Sequence, residues 1–523
     1  MSGPADPATP PTEPLELAAP AGAATRRRRL SVTRVLLAGV IVAGLTGGSV
    51  AGVNYARRPI TAPAETWFAP YVDTTLTPEF AFEDPATNPA DDVVLGFVVA
   101  DPDHGCTPSW GAAYDLDQAA TALDLDRRVT RYRDRGGDVV VSFGGLANDE
   151  LAVTCTDADR LAEAYRAVIE RYDVTTIDLD IEGDAIDDAA ANARRAEALA
   201  TIQREARRAG RALTIWLTLP VTPSGLLANG VAAVDATLEA EVDLGGVNVM
   251  TMDYGSSREP STSMAEAGER ALERTHRQLA AAYRRAGIRQ NDTQLWGKLG
   301  ATPMIGVNDE TADVFQRADA RRLRSFALEH GLGRVSMWSA NRDARCTSNV
   351  DASKVSNHCS GVTQSAGSFS RILDRLRGRP GARAADRTVA DTTPVPADDP
   401  ATSPYPIWAK GTVFDEGDKV VRLGQVYAAK WWTRGDDPDA PVKSDWDSPW
   451  RLVGPVLASD RPPVTTTLPA GTYPEWDDAA IYTDGDLVML AGVGYRAQWW
   501  TQGDQPGGAL GTDGQTPWEP LSR

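Results

Sequence analysis

The chain has 523 residues, of which 42% are hydrophobic, and its formal net charge is −19. This length allows one large domain together with smaller modules. The acidic balance argues against a nucleic-acid partner and suits a protein that acts on a neutral polymer.

Residues 1–34 form a basic tail that is rich in Pro and Ala and carries four consecutive arginines at positions 26–29. The apolar run 35–53 is just long enough to span a membrane, and the excess of arginines before it predicts a cytoplasmic N-terminus. The run is either a membrane anchor or a cleaved signal peptide, because Ser49, Val50 and Ala51 are small residues suited to cleavage. Both alternatives predict an extracellular protein, secreted or anchored to the outer face of the cell membrane.

The chain has four cysteines and only four histidines, and none of the cysteines forms a Cys-x-x-Cys pair. This pattern argues against a zinc site and favours two disulfides. Of the three possible pairings, we favour Cys346 with Cys359, which closes a short loop, and Cys106 with Cys155. We expect no metal, no cofactor and a monomer.

From residue 64 to residue 377, short apolar runs alternate with longer helical stretches, which is typical of an α/β fold with a parallel sheet. Eight such units in this length predict a (β/α)8 TIM barrel, whose active site lies at the carboxyl ends of its strands. The predicted strands are 66–72, 93–100, 138–143, 176–182, 213–219, 247–253, 302–306 and 335–338.

The fourth predicted strand carries three acids at alternate positions, Asp178, Asp180 and Glu182. Alternate side chains of a strand share one face, so the three carboxyl groups lie together opposite an aliphatic face. Crowded carboxylates repel, which keeps one or two of them protonated near neutral pH and can make Glu182 a general acid. The plain alternative is a solvated edge strand, which the aliphatic face disfavours.

After the barrel, the sequence repeats itself with a constant offset of 68 positions, as between Trp408 and Trp476. The repeat predicts two small all-β modules, at 405–454 and 473–523, each short of apolar residues for a large core. The segments 378–404 and 455–472 are rich in Pro, Ala, Thr and Asp and are predicted to be flexible linkers.

Each module contains a pair of adjacent tryptophans. The pairs are Trp431 with Trp432 and Trp499 with Trp500, and the repeated Tyr427 and Tyr495 precede them. Neighbours in a strand face opposite ways, so one ring of each pair is expected in the core and the other at the surface. Exposed aromatic rings stack on the C–H faces of sugars, whereas the plain alternative makes all of these rings core filler.

Two motifs of the barrel carry a family resemblance. They are Ser142-x-Gly144-Gly145 and Asp178-x-Asp180-x-Glu182. They resemble the signature motifs of family 18 glycoside hydrolases, the chitinases, and the strand-six sequence Met250-x-Met252-Asp253 is similar to a third. The resemblance implies that Met250 and Met252 bind substrate. Trp338 resembles the tryptophan at the floor of the family's cleavage subsite. The repeats resemble type 5/12 carbohydrate-binding modules, which bind chitin or cellulose through paired tryptophans.

The resemblance implies a chitinase that acts on chitin or a related N-acetylglucosamine polymer with retention of configuration. Glu182 would be the acid, Asp180 would orient the acetamido group of the substrate, and Asp178 would share a proton with Asp180. The alternatives are an endo-β-N-acetylglucosaminidase that acts on N-glycans and a non-catalytic chitin-binding lectin. The first is disfavoured by the binding modules and the second by the presence of Glu182.

The chain departs from the family pattern at two positions. Thr175 stands where relatives often have an Asp deep in the barrel. Met252 stands where many have a Tyr that holds the acetamido group, and Tyr254 is expected to supply that hydroxyl instead. Asp253 and Tyr254 are therefore candidate catalytic residues, and the plain alternative is a capped strand end.

Overall fold

The computed structural model describes residues 65–376, 378, 398–400, 402–440, 448–461, 468–506 and 517–521. The predicted tail 1–34 and the predicted membrane segment 35–53 lie outside the described residues. Within the described part, no helix is both long enough and apolar enough to cross a bilayer.

Residues 65–376 form a barrel in which strands and helices alternate. Its strands are β1 (Trp67–Phe68), β2 (Tyr71–Asp73), β3 (Asp92–Ala100), β4 (Pro108–Trp110), β5 (Tyr114–Asp115), β6 (Asp138–Gly144), β7 (Thr176–Asp180), β8 (Thr214–Thr222), β9 (Gly225–Leu226), β10 (Leu244–Met250), β11 (Leu299–Thr302), β12 (Gly306–Val307), β13 (Val314–Phe315) and β14 (Arg334–Val335). Its α-helices are α1 (Leu116–Ala122), α2 (Leu125–Asp134), α3 (Leu151–Thr154), α4 (Ala158–Arg171), α5 (Ala189–Arg208), α6 (Ala228–Glu239), α7 (Met264–Arg285), α8 (Asp292–Trp296), α9 (Arg317–His330) and α10 (Ser368–Leu373).

Strands β1 and β2 are the two halves of the first barrel strand, and they close the sheet by pairing with β14 and β3, respectively. The pairs that join the remaining barrel strands are also parallel. The predicted (β/α)8 barrel is confirmed. Its seventh strand is β11 rather than 302–306. Position 300 requires glycine, because a Cβ there would lie 2.8 Å from the Asn248 side chain. A small residue in the strand weakens the apolar pattern from which the strand is predicted.

The two faces of β7 are both buried, as the alternation of acids and aliphatic residues predicts. Ile177, Leu179 and Ile181 belong to the large core between the sheet and the helices. Inside the barrel, a smaller apolar cluster contains Trp67 and Trp216. The interior also holds buried polar side chains, and these position the site described below.

The two modules have the same topology. The first has strands β15 (Val413–Phe414), β16 (Lys419–Arg422), β17 (Gln425–Ala429), β18 (Thr433–Arg434) and β19 (Trp450–Pro455), and the second has β20 (Ile481–Tyr482), β21 (Leu487–Leu490), β22 (Val493–Ala497), β23 (Thr501–Gln502) and β24 (Trp518–Pro520). In each module, the second, third and fifth strands form one sheet, and the first and fourth form another. The small all-β modules are confirmed.

The four cysteines form two disulfides, Cys106–Cys155 and Cys346–Cys359. This is the pairing that the loop length favoured. The first bridge ties the loop after β3 to the end of α3, and the second closes a loop after β14.

Candidate active site

Asp178 lies on β7 in the centre of a buried polar network inside the barrel. Its Oδ2 accepts hydrogen bonds from the Ser142 hydroxyl (2.7 Å) and the Tyr71 hydroxyl (2.8 Å). Its Oδ1 accepts from the Thr218 hydroxyl (2.7 Å) and from Arg334 Nη1 (2.5 Å). Three hydroxyl groups and one cation thus donate to the Asp178 carboxyl group.

The sharing of a proton between Asp178 and Asp180 stays a prediction. Both oxygens of Asp178 accept hydrogen bonds. Arg334 also supplies a full positive charge 2.5 Å from Oδ1. Sequence reasoning missed both Arg334 and Tyr71, which lie more than a hundred positions from Asp178.

The paired glycines of the Ser142 motif bring β6 close to β7. Gly144 has a φ of +97°, and a Cβ on it would lie 2.1 Å from the Asp180 carbonyl oxygen. The Gly145 N–H donates to that same oxygen at 2.9 Å. Only glycine permits this approach, so the motif fixes the backbone that carries Asp180.

Asp180 is the second acid of the strand and is 5% exposed. Burial, then the negative charges of Glu182 and Asp178, raise the pKa of Asp180 well above its ordinary value, and Arg334 acts against them. Its Oδ1 is buried and has no hydrogen-bond partner among the described residues. A buried carboxyl group with one unpaired oxygen is able to bind a polar group of a ligand.

Glu182 lies two residues beyond the end of β7, where the backbone is still extended (φ −144°, ψ −175°). It therefore continues the alternation of Asp178 and Asp180. Burial, and then the negative charges of Asp253 and Asp309, raise the pKa of Glu182 to about 7. A carboxyl group with this pKa is half protonated at neutral pH and can both donate and accept a proton.

Asp253 lies close enough to Glu182 to act on it electrostatically, but it lies beyond the end of β10 in a left-handed turn (φ +50°). Its Oδ1 accepts the Glu310 N–H at 3.0 Å. Burial is the largest cause of the raised pKa of Asp253. Asp309, in the neighbouring loop, was not found from the sequence because no motif marks it.

Three predicted substrate-binding residues line the same carboxyl end of the barrel. Met250 is the last residue of β10, Met252 follows it, and both are half-buried. The Trp338 ring is also half-buried and stacks on Phe97, with ring centroids 5.5 Å apart. An aromatic ring here offers a flat apolar surface for a sugar.

Tyr254 is not brought to this site. Its ring belongs to the core outside the sheet, and its hydroxyl lies 3.7 Å from where a Cβ on Gly268 of α7 would be. The prediction that Tyr254 faces the same way as Met252 assumed that the strand continues. Strand β10 ends at Met250, and the left-handed turn at Asp253 breaks the alternation.

The modules expose both rings of each tryptophan pair. The exposed fractions are 42% and 59% for Trp431 and Trp432, and 39% and 60% for Trp499 and Trp500. The prediction of one ring in each core is wrong, because both pairs follow the third strand of their module and lie in a connection. The core positions belong to Trp450 and Trp518 instead.

The two tyrosines that were predicted to bind sugar pack inward. Tyr427 belongs to the core of the first module, and its hydroxyl donates to Asp439 at 3.3 Å. Tyr495 packs, partly buried, against the core of the second module. The tryptophan pairs, rather than these tyrosines, form the exposed aromatic surfaces.

Comparison with known proteins places this geometry in context. The chain is 33% identical over 299 residues to a probable bifunctional chitinase/lysozyme of Escherichia coli (strain K12), a match that covers 55% of this chain and 32% of that protein. It is 32% identical over 298 residues to endochitinase 11 of Metarhizium anisopliae, with 55% of each chain covered. The chain thus spans about a third and about half of these curated relatives.

Among solved structures, the catalytic domain of a hyperthermophilic chitinase from Pyrococcus furiosus is 29% identical to this chain, with a TM-score of 0.51. That match covers 60% of this chain and 97% of the other. The barrel is thus similar to a chitinase catalytic domain. Residues 475–519 match the model of carbohydrate-binding module family 5/12. The match lies within the second module.

Proposed function

We propose that the chain is a chitinase that hydrolyses β-1,4-linked N-acetylglucosamine polymers with retention of configuration. The observation that carries the proposal is Glu182, whose raised pKa of about 7 and position at the carboxyl end of the barrel suit a general acid. The chitinase relatives named above support the same reaction for the barrel.

Glu182 protonates the glycosidic oxygen as the bond to the leaving sugar breaks. Asp178 is engaged with Arg334, and Asp180 is kept neutral by burial and by its neighbours. Neither is therefore suited to attack the sugar. The acetamido oxygen of the substrate supplies the nucleophile instead, in the substrate-assisted variant of glycoside hydrolysis.

Asp180 orients that acetamido group. Its unpaired Oδ1 accepts the acetamido N–H. The positive charge that develops on the oxazolinium ring is stabilised as Asp180 passes the proton that it shares with Asp178 to Asp178 and becomes negative itself. Trp338 supplies the apolar floor. Water then opens the ring with Glu182 as the base, which returns the product with its original configuration.

The exposed tryptophan pairs support a role for both modules in binding the insoluble polymer. The first module has the same strand order as the second, which is the one that the family 5/12 model matches. Two linked binding modules raise the effective concentration of the enzyme at a surface. The two disulfides support the proposal that the chain acts outside the cytoplasm.

The experiment compares the wild type with Glu182→Gln on colloidal chitin and on the N-acetylglucosamine hexamer. Glu182→Gln removes the proton but keeps the shape, so hydrolysis is expected to fall about 100- to 10,000-fold while binding persists. Asp184→Asn, an exposed acid two positions away, is the matched control and is expected to retain activity. Initial formation of the β-anomer, followed by NMR, tests retention. An α-anomer as first product, or full activity of Glu182→Gln, would contradict the mechanism.

A further inference from the structure

The first module packs directly against the barrel. Its last strand, β19, packs against helix α2, and a Cβ on Gly454 of β19 would lie 2.6 Å from the Arg127 carbonyl oxygen. The predicted linker 455–472 begins on the barrel surface, because Arg127 Nη1 donates to the Pro455 carbonyl oxygen at 2.9 Å. The backbones of the two domains are thus in direct contact.

Two buried acids of the barrel receive cations from the module. Asp124 is 1% exposed, and Lys419 Nζ lies 2.5 Å from its Oδ2 while the Tyr405 hydroxyl donates to its Oδ1 at 2.7 Å. Glu83 is fully buried and lies 3.0 Å from Arg451 Nη1. Paired charges that are removed from water in this way are costly to separate.

In a third ion pair, the barrel supplies the cation instead of the acid. The Arg127 guanidinium of the barrel donates through both terminal nitrogens to Asp460, each at 3.1 Å. A bidentate arginine–carboxylate pair fixes orientation as well as distance. Each side of the contact therefore carries both positive and negative charges, and their pairing favours a single docked orientation.

The second module lacks the two docking cations at the equivalent positions, although Tyr473 matches Tyr405. The offset of 68 places Leu487 where the first module has Lys419, and Glu519 where it has Arg451. The sheet face that is apolar in the first module, with Ala428 at its centre, carries the exposed Arg496 in the second. The two modules thus share the fold and the tryptophan pair, but only the first has the docking cations.

A groove of about 790 Å³ runs between the barrel and the first module. Asn341 forms part of its barrel wall and donates to the carbonyl oxygen of Asp73, at the carboxyl end of β2. Lys430 forms part of its module wall, and its Nζ lies 4.9 Å from the Trp431 ring centroid. The groove therefore extends from Asn341, beside the carboxyl end of β2, to Lys430, which lies next to the exposed tryptophan pair.

We propose that the first module is a fixed wall of the substrate-binding cleft, on which the docking ion pairs hold Trp431 and Trp432 in one position relative to Glu182. One N-acetylglucosamine chain then contacts the tryptophan pair and the active site together through the groove. The second module binds the polymer without this fixed geometry. The part of the proposal that concerns the sugar chain rests on the proposed function.

The docking is tested in the full chain with Lys419→Leu and Arg451→Glu combined, which gives the first module the residues of the second. The second module carries these residues in the same fold, so the variant module is expected to fold. Amide hydrogen exchange in 124–131 and 454–461 is expected to accelerate roughly tenfold or more as the contact opens. Lys410→Leu with Arg434→Glu makes the same charge change at exposed positions of the first module and is expected to leave exchange unchanged. Equal exchange in both variants would overturn the docking.

The fixed tryptophan pair is tested by the affinity for a water-soluble chitin polymer, glycol chitin, measured in the Glu182→Gln background. Replacing Trp431 and Trp432 by Ala is expected to weaken binding about 5- to 30-fold in the docked chain and clearly less in the undocked variant. The matched replacement of Trp499 and Trp500 is expected to have the same effect in both. Losses for Trp431 and Trp432 that do not depend on docking would overturn the proposal. If the wild type binds the polymer without cleaving it, the proposed function fails and the docking result stands.

Discussion

Asp178 and Glu182 lie four residues apart on the same face of one strand, yet their surroundings are opposite. Asp178 accepts four hydrogen bonds and is paired with a buried arginine. Glu182 is influenced by two further acids, and burial and those charges raise its pKa to about 7. A network of donors thus surrounds the acid at the inner end, and an acid with a raised pKa lies at the mouth.

This difference shows that the position of each acid relative to Arg334 determines its electrostatic surroundings. The Arg334 guanidinium lies over the rings of Trp67 and Tyr71. This packing holds it in the barrel interior, away from the solvent end of the strand. Asp180 lies between the two ends, and burial and then the negative charges of Glu182 and Asp178 raise its pKa, whereas Arg334 acts against them. The predictions below change one end of this arrangement at a time.

The largest effect is expected from Arg334→Met, which removes the cation and leaves the Asp178 charge buried. Breaking a buried pair from one side costs about 3–5 kcal/mol, so the free energy of unfolding is expected to fall by that amount in urea titrations. Arg285→Met breaks the exposed pair with Asp235 and is the control, with an expected loss of about 0–1 kcal/mol. Arg334→Met combined with Asp178→Asn is expected to recover part of the loss. If the double variant is no more stable than Arg334→Met, the pair is not the source of the loss.

Asp180→Asn is expected to lower kcat about 100- to 1,000-fold, because the amide cannot give up a proton to stabilise the developing positive charge. The pKa of Asp180 is raised in the folded state, so its effect on stability is fully favourable below its ordinary pKa and is lost as the pH rises through the folded value. Asn cannot ionise, and the variant is therefore expected to lose less stability than the wild type on the alkaline side. A kcat close to that of the wild type would remove Asp180 from the mechanism.

A smaller effect is expected from Asp253→Asn, which removes one of the negative charges that raise the pKa of Glu182. The acid form of Glu182 is the active one, so kcat/KM falls with rising pH near 7 in the wild type. In the variant, this alkaline limb is expected to move to lower pH by roughly 0.5 to 1 unit. The Asn Oδ1 still accepts the Glu310 N–H, which keeps the turn intact. Asp184→Asn is the control. If the alkaline limb of Asp253→Asn does not move, Asp253 does not contribute to the raised pKa of Glu182.

The sequence was sufficient to predict the barrel, the acidic face of β7 and both disulfides, because each depends on local pattern or spacing. Strand alternation places Asp178, Asp180 and Glu182 on one face without any knowledge of the rest of the chain. Arg334 and Asp309 could not be found in this way. Only closure of the barrel brings Arg334 to Asp178, and only the loop around Asp309 brings that charge toward Glu182.

The errors have the same cause. The alternation rule was extended past the ends of strands, to Tyr254 after β10 and to the tryptophan pairs after β17 and β22. In both places the chain has already turned, so neighbouring side chains no longer face opposite ways. The segment 455–461 was predicted to be a linker from its composition, whereas its contacts come from Arg127, which is distant in sequence.

The smallest effect is expected from Tyr254→Phe, which tests whether the barrel wall separates the acids from the outer core. The Tyr254 hydroxyl is buried toward α7, and it has no hydrogen-bond partner among the described residues. Removing it therefore breaks no hydrogen bond and relieves a buried polar group, so the free energy of unfolding is expected to stay the same or rise by up to about 1 kcal/mol. The kcat on the N-acetylglucosamine hexamer is expected to stay within about twofold of the wild type, since no substrate-binding hydroxyl is lost. A hydroxyl that held the acetamido group in the transition state would instead make the loss about 5- to 150-fold. A loss of that size with an unchanged free energy of unfolding would place Tyr254 in the site after all, and would require its ring to leave α7 when substrate binds.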